Sequence, residues 1–249
     1  FVLFENEKEA TVFRNLTTKS AIFIPKSIIY ESKEYIITSI TEGAFKNSKQ
    51  IKFVNFDEDS QLRFIDKFSF ENSTIFSISI PSTVRYIGES AFSECRNLFI
   101  INFCEQSELE SIEKNVFNHA PFSEIFIPPK VTRICEKAFN YCDGLTNLTF
   151  SKNSELKVIE KNAFYFSSLD KILIPSSVTK LQKGWCKSSK LNKVDVTKEN
   201  KNFKIFDNNF LIGKSYPKNK SFNVLFFAQR NIQNVKIPSF IKHIASSAF

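Results

Sequence analysis

The fold is decided by a six-residue phrase whose clearest copy reads Ile87-Gly-Glu-Ser-Ala-Phe92. An aliphatic residue is followed by three mostly polar residues, a small residue and Phe. Copies run from Ile40 to Phe45, Ile65 to Phe70, Ile87 to Phe92, Ile112 to Phe117, Ile134 to Phe139, Ile159 to Phe164, Leu181 to Cys186 (a decayed copy) and Ile244 to Phe249. The first seven copies end 25, 22, 25, 22, 25 and 22 residues apart. A fixed period of this size predicts a repeat solenoid, in which each coil buries its apolar side against its neighbours.

The segments between the phrases alternate inward and outward residues, as a β-strand does. Short repeats end this strand in Ile-Pro, as in Ile78-Ser-Ile-Pro81, and proline stops the ladder because it has no N–H. Long repeats carry an aromatic residue instead, as in Ile101-Asn-Phe103, followed by a polar loop. The pattern predicts stacked parallel strands that form one sheet along the concave side of the solenoid.

We therefore predict a single right-handed solenoid over residues 1–249, mostly β with short turns. Ten coils stacked at about 4.8 Å would give a length of about 50 Å. The expected divisions are an N-terminal cap and first repeat (1–45), alternating 25- and 22-residue repeats (46–196), an inserted β-hairpin or three-stranded meander (197–234) and a last, truncated repeat (235–249). The Phe column at positions 45, 70, 92, 117, 139, 164 and 249 is expected to be buried.

The composition predicts neither a cofactor nor a metal site. The five cysteines form no CxxC motif, and the two histidines stand in no His/Cys cluster. Cys95 and Cys142 occupy the same phase two repeats apart, so their Cα atoms are expected about 10 Å from each other, beyond the reach of a disulfide. The cysteines are interpreted as buried thiols that pack as small apolar residues.

No catalytic residues can be assigned, so we do not expect an enzyme. Neither His119 nor His243 stands beside a nucleophile motif, and no nucleophile-elbow sequence occurs. The carboxylates of Asp57 to Asp59 fall in a repeat loop and are interpreted as a solvated surface. No apolar run reaches the 18 or so residues of a membrane span.

Charge divides the chain unevenly. Residues 1–181 hold 21 basic and 23 acidic side chains (net −2), whereas residues 182–249 hold 13 and 3 (net +10). An anionic partner is one interpretation, with Lys214, Lys218 and Lys220 as the polyanion-binding candidates. The alternative is a lysine-rich solvated surface. Nucleic acid is not expected, because 12 of the 13 basic residues are Lys and readers of bases and phosphates favour Arg.

One outward position of the predicted strands gives a candidate partner-binding face. Its members are expected to stack about 4.8 Å apart along the sheet. They are Phe23, Asn55, Ser79, Asn102, Phe126, Thr149, Leu173, Asp195 and Lys236. Phe126 and Leu173 are expected to form an exposed apolar patch with a polar rim, so we predict partner binding by Phe126, Thr149, Leu173, Asp195 and Lys236. The alternative is that single apolar residues are ordinary on a protein surface.

These phrases resemble the BspA-like leucine-rich repeats. The resemblance rests on Ile174-Pro-Ser-Ser-Val-Thr179, on Ile87 to Phe92 and on the Phe-x-x-Cys-x-x-Leu pattern at Phe92–Leu98 and Phe139–Leu145, and it covers nearly the whole chain. It implies a cell-surface or secreted adhesion module that binds a host or partner protein. Extracellular-matrix proteins and, from the basic charge, glycosaminoglycans are further candidates. The resemblance implies no catalytic residues. An intracellular scaffold for protein–protein interaction remains the alternative, because five reduced thiols suit a reducing compartment.

Overall fold

The computed structural model describes residues 1–14, 18–187, 190–215, 218–230, 232 and 236–249. Within these ranges the chain consists of short strands and turns, without a helix. It winds into a β-solenoid of about 10 turns with parallel sheets, as the repeat period predicts. None of the described residues belongs to a helix with the length and hydropathy that a membrane crossing requires.

The N-terminal part forms a small cap from both parallel and antiparallel pairs. Its strands are β1 (Val2–Phe4), β2 (Glu9–Val12), β3 (Ala21–Ile24), β4 (Ser27–Tyr30) and β5 (Lys33–Ile40). β1 pairs antiparallel with β2, β4 pairs antiparallel with β5, and β2 pairs parallel with β5. β5 ends at Ile40, which opens the first phrase, so the cap leads directly into the repeats.

One strand in each coil, together with β3, builds what we call the front face. These front strands are β6 (Phe53–Phe56), β8 (Ser77–Ser79), β10 (Ile100–Asn102), β12 (Glu124–Ile127), β14 (Asn147–Phe150), β16 (Lys171–Ile174) and β18 (Lys193–Val196). They pair in parallel, in the ladders β3-β6-β8-β10, β12-β14 and β16-β18. Buried and exposed residues alternate along them, so every front strand turns one row of side chains to solvent.

A second strand in each coil carries the aliphatic residue that opens the phrase. These anchor strands are β7 (Phe64–Ile65), β9 (Tyr86–Ile87), β11 (Ser111–Ile112), β13 (Arg133–Ile134), β15 (Val158–Ile159) and β17 (Lys180–Leu181). They also pair in parallel, within the sets β5-β7-β9 and β11-β13-β15-β17. Their aliphatic residues face the core opposite the front strands, so the two sets of strands enclose one continuous apolar interior.

The phenylalanines of the phrases form a stacked column in this interior, as predicted for positions 45 to 164. Successive ring centroids lie 4.8, 5.1, 5.9, 5.6 and 5.3 Å apart from Phe45 to Phe164. All six rings are 3% exposed or less. Phe249 contradicts the prediction, because it is 57% exposed.

The small residue before each Phe contributes its backbone carbonyl to a hydrogen bond between coils. The amide of Phe70 donates to the carbonyl of Ala91 at 2.8 Å, and the amide of Phe139 donates to Ala163 at the same distance. This hydrogen bond repeats from coil to coil. The coils approach each other closely at Gly144, since a Cβ there would lie 1.9 Å from the carbonyl oxygen of Pro121.

The decayed phrase keeps this backbone pattern with different side chains. Leu181 stays in register with Ile159 of the preceding anchor strand. Trp185 takes the place of the small residue, and its carbonyl accepts the amide hydrogen of Phe164 at 3.1 Å. Trp185 and Cys186 are 2% and 1% exposed, so the indole fills space next to a smaller residue at the Phe position.

A three-stranded meander follows β18, as the alternating apolar residues predict. It consists of β19 (Phe203–Phe206), β20 (Phe210–Lys214) and β21 (Phe222–Ala228), paired antiparallel in that order. Asp207 and Asn208 both have positive φ, and the amide of Asn209 donates to Phe206, which is the geometry of a type I′ hairpin turn. The last strand, β22 (His243–Ile244), pairs parallel with β21.

Candidate interaction surface

The front face brings most of the predicted partner-binding residues into neighbouring strands. Phe126 lies in register with Thr149, and Leu173 lies in register with Asp195. Leu173 is 49% exposed, as expected for a contact residue. Phe126 is only half-buried rather than exposed, because its ring packs on the edge of the core. The expected apolar patch of Phe126 and Leu173 is therefore centred on Leu173.

Within the described part of the chain, no register pair connects Lys236 with this row. This lysine is exposed and lies outside the described strands, and the residues from 233 to 235 before it are outside the described part of the chain. The meander of β19 to β21 follows β18 and places its own strands next to the last repeat, so the register partners of the front face end at Asp195. The predicted boundary between the inserted segment and the last repeat, at 234/235, also lies outside the described part of the chain.

A shallow groove of about 390 Å³ lies beside Leu173, at the ends of β14 and β16. Leu148, Phe150 and Pro175 form its apolar walls, while Thr149 and Lys152 provide polar groups. This size is within the range of ligand sites, and the mixture of apolar wall and polar rim is typical of protein interfaces. Two of the predicted residues, Thr149 and Leu173, thus line one depression.

A further apolar surface, not predicted from the sequence, lies on the same face. Phe53, Phe76, Phe99 and Ile100 are 42, 37, 49 and 44% exposed and belong to three consecutive coils. The ring of Phe76 lies 6.0 Å from that of Phe53 and 5.4 Å from that of Phe99, measured between centroids. We call these four residues the aromatic cluster. Its signal is present in the sequence, because aromatic residues recur at the start of a front strand or directly before it. The predicted face used only one outward position, which lies later in each strand.

The polyanion candidates lie on the meander. Lys214 ends β20, and Lys218 and Lys220 are exposed in the connection that leads to β21. The ammonium group of Lys214 lies 5.3 Å from the centroid of the Phe222 ring, which also has Lys204 at 4.6 Å. The three lysines therefore share one end of the molecule, and the structure adds Lys204 to them.

The cysteines are unpaired, and four of the five are buried. Cys104 is exposed, which corrects the expectation that all five thiols are buried. Burial raises the pKa of the Cys95 and Cys186 thiols to about 12, so neither is a nucleophile near neutral pH. Groups of His, Cys, Asp and Glu that could hold a metal ion are absent from the described residues.

Comparisons with known proteins agree with the repeat architecture. A family model for the BspA-type leucine-rich repeat region matches in 6 copies, over residues 9–146, 106–212 and 144–249. No curated protein matches the chain.

Solved structures with the same fold come from bacteria. A leucine-rich cell surface protein from Faecalibacterium prausnitzii superposes with a TM-score of 0.80 at 23% identity, over 97% of this chain and 63% of the other. The pneumococcal vaccine antigen PcpA superposes with a TM-score of 0.68 at 27% identity, over 98% of this chain and 53% of the antigen. The T. pallidum leucine-rich-repeat protein has a TM-score of 0.57 at 18% identity, over 78% and 81%. The chain thus spans between half and two thirds of the first two proteins.

Proposed function

The chain belongs to the BspA-type leucine-rich-repeat family, and from this premise we propose that it is a non-catalytic adhesion module of a cell-surface or secreted protein that binds a partner protein through its front face. The aromatic cluster carries this proposal. Four large apolar side chains, each more than a third exposed, lie in or directly before three neighbouring front strands. Clustered exposed apolar residues of this kind are typical of protein-binding sites.

Two structurally similar proteins support a surface location for this module. One similar structure is described as a cell surface protein and another as a vaccine antigen. Extracellular-matrix proteins are therefore suitable probes. The rigid rings of the aromatic cluster contribute most of the binding energy when a partner excludes water from them. The polar residues around Leu173 supply hydrogen bonds and specificity.

The test measures binding of the purified chain to immobilised fibronectin, laminin and collagen by biolayer interferometry. Replacing both Phe76 and Phe99 with Ser is expected to weaken binding at least about ten-fold, since buried aromatic anchors carry most of the energy of such interfaces. Phe64→Ser is the matched control, because Phe64 is 40% exposed in the same region but belongs to an anchor strand. Equal loss in the control would contradict the front-face site.

The C-terminal lysines enter this proposal as a steering element. Exposed charges of one sign accelerate the encounter with an anionic surface more than they strengthen the final complex. Reversing Lys214, Lys218 and Lys220 to Glu is expected to slow association with an acidic partner such as heparin or an acidic matrix protein, with the effect vanishing at high salt. Phe126→Asp and Leu173→Asp, on the front face, are expected to change dissociation instead.

An intracellular scaffold is the second candidate, and the free thiols favour it. All five cysteines are unpaired in the structure, as they are in proteins of a reducing compartment. Labelling of intact source cells with a membrane-impermeant biotin reagent separates the two candidates. Labelled full-length protein supports the surface module, and label that appears only after cell lysis supports the scaffold.

A further inference from the structure

A second surface lies at the junction between the meander and the last repeat. A groove of about 600 Å³ opens there, lined by residues that include Lys204, Phe206, Phe222, Asn223, Phe240 and Lys242. We call it the junction groove. The amide of Lys242 donates to the backbone carbonyl of Asn223 at 2.9 Å, which ties its two sides together. Its volume is within the range of ligand sites.

Positive charge is concentrated at this groove. The ammonium groups of Lys204 and Lys214 lie 4.6 and 5.3 Å from the centroid of the Phe222 ring, and Lys242 adds a third at the groove wall. Residues 197–249 contain nine Lys and Arg but two acidic side chains, Glu199 and Asp207. These lysines therefore favour an anionic ligand at the groove.

Several lysines in the regular coils are paired with carboxylates. Lys114 pairs with Glu89 at 3.0 Å, and Lys130 pairs with Glu108 at 2.6 Å, each across adjacent coils. Within the described part of the chain, the ammonium groups of the junction groove have no such carboxylate partner. Three neighbouring cations repel one another, and an external carboxylate would relieve this repulsion.

The floor of the groove is apolar and selects among anions. The rings of Phe206 and Phe240 meet edge to face, with centroids 5.2 Å apart, and Ile212 lies beside them. Phe240 is still 43% exposed, so this floor is open to a ligand. A ligand that fits must bring apolar side chains together with its negative charges, which a sulfated glycan does not.

We propose that the junction groove binds an acidic peptide segment of a partner protein, with apolar side chains placed between its carboxylates. The carboxylates pair with Lys204, Lys214 and Lys242, and the apolar side chains cover Phe206 and Phe240. This site is separate from the front face and does not depend on it.

Isothermal titration calorimetry with a synthetic acetylated peptide, Glu-Glu-Leu-Asp-Glu-Leu, tests the site on the full chain. The double variant Lys204→Gln, Lys242→Gln is expected to lose about ten-fold in affinity, because charge-assisted hydrogen bonds are lost. Asn223→Asp keeps the side-chain size but adds a negative charge, and it is expected to abolish binding. Replacing both Leu residues of the peptide with Gln is expected to cost about ten-fold, since the apolar floor is then uncovered.

The matched control replaces Lys157 and Lys180 with Gln, which removes two exposed lysines far from the groove and leaves peptide affinity within about two-fold. Circular dichroism confirms that each variant is folded.

The proposal is overturned if the wild-type chain does not bind the peptide, if both lysine pairs matter equally, or if the Gln peptide binds as well as the Leu peptide. It is also overturned in favour of a membrane if only phosphatidylserine vesicles bind. None of these changes touches the aromatic cluster, so the front-face experiment is decided independently.

Discussion

Phe139 and Phe249 hold the same place in the six-residue phrase but have opposite surroundings. The ring of Phe139 is fully buried, with the rings of Phe117 and Phe164 stacked 5.6 and 5.3 Å away. Phe249 is 57% exposed, and among the described residues it takes part in no ring contact. The residues that open the two phrases differ in the same way, since Ile134 is 0% exposed and Ile244 is 53% exposed. The phrase specifies the shape of a coil, but neighbouring coils on both sides are what bury its apolar residues.

The largest effect is expected at the interior position. Phe139→Ala should lower the free energy of unfolding by about 3–5 kcal/mol, because the column cannot close over the cavity. Urea unfolding followed by circular dichroism measures the change. A loss below about 1 kcal/mol would mean that the coils repack around the gap and that the comparison with Phe249 fails.

A second difference between interior and surface concerns the thiols. Cys95 donates from its sulfur to the carbonyl oxygen of Phe70 at 3.0 Å inside the stack, whereas Cys104 is exposed in a loop. Ellman's reagent at pH 8 should modify Cys104 in the native protein and all five cysteines after denaturation. Rapid modification of Cys95 would show that the interior opens to solvent.

The raised thiol pKa values also predict how stability depends on pH. Burial keeps Cys95 and Cys186 protonated up to a pKa of about 12 in the folded protein, against 9.0 for an ordinary thiol. The unfolded chain therefore loses these protons first as pH rises, so stability is full below pH 9 and falls from pH 9 towards 12. The Cys95→Ala variant should show a shallower fall, by up to about 1.4 kcal/mol per pH unit.

The smallest effect is expected at the last phrase. Phe249→Ala should change the free energy of unfolding by no more than about 0.5 kcal/mol, since the ring is mostly in contact with water. The same urea experiment provides the measurement. An effect as large as that of Phe139→Ala would show that Phe249 packs on another surface in solution, for example on a second copy of the chain.

The buried side of the fold could be predicted because it depends on local spacing. Residues such as Ile134 and Ala138 repeat at a constant phase, and the type I′ turn at Asp207 and Asn208 is encoded by residues that tolerate positive φ. The exposure of Phe249 could not be predicted in this way, because the burial of its ring depends on contact with a neighbouring coil and not on the phrase itself.

The candidate site could be predicted only in part. Thr149 and Leu173 line one groove, as the stacking of equivalent positions suggests. The half-burial of Phe126 depends on how its ring rests on adjacent coils, which spacing alone does not describe. Lys236 follows residues outside the described part of the chain, so its place in the row stays a prediction. The aromatic cluster combines residues from two positions of the repeat in three coils, whereas the predicted face used one position per coil.

The decayed phrase gives the chain an internal fluorophore. Trp185, the one tryptophan of the sequence, is buried where the last regular coils meet the region that leads to the meander. Its emission is expected to shift to longer wavelength when water reaches the indole, whereas tyrosines such as Tyr35 and Tyr141 lie in earlier coils. A chain whose coils are stabilised by their neighbours can open from one end. Selective excitation of Trp185 would therefore report the opening of the C-terminal end, separately from the unfolding of the coils around Phe139.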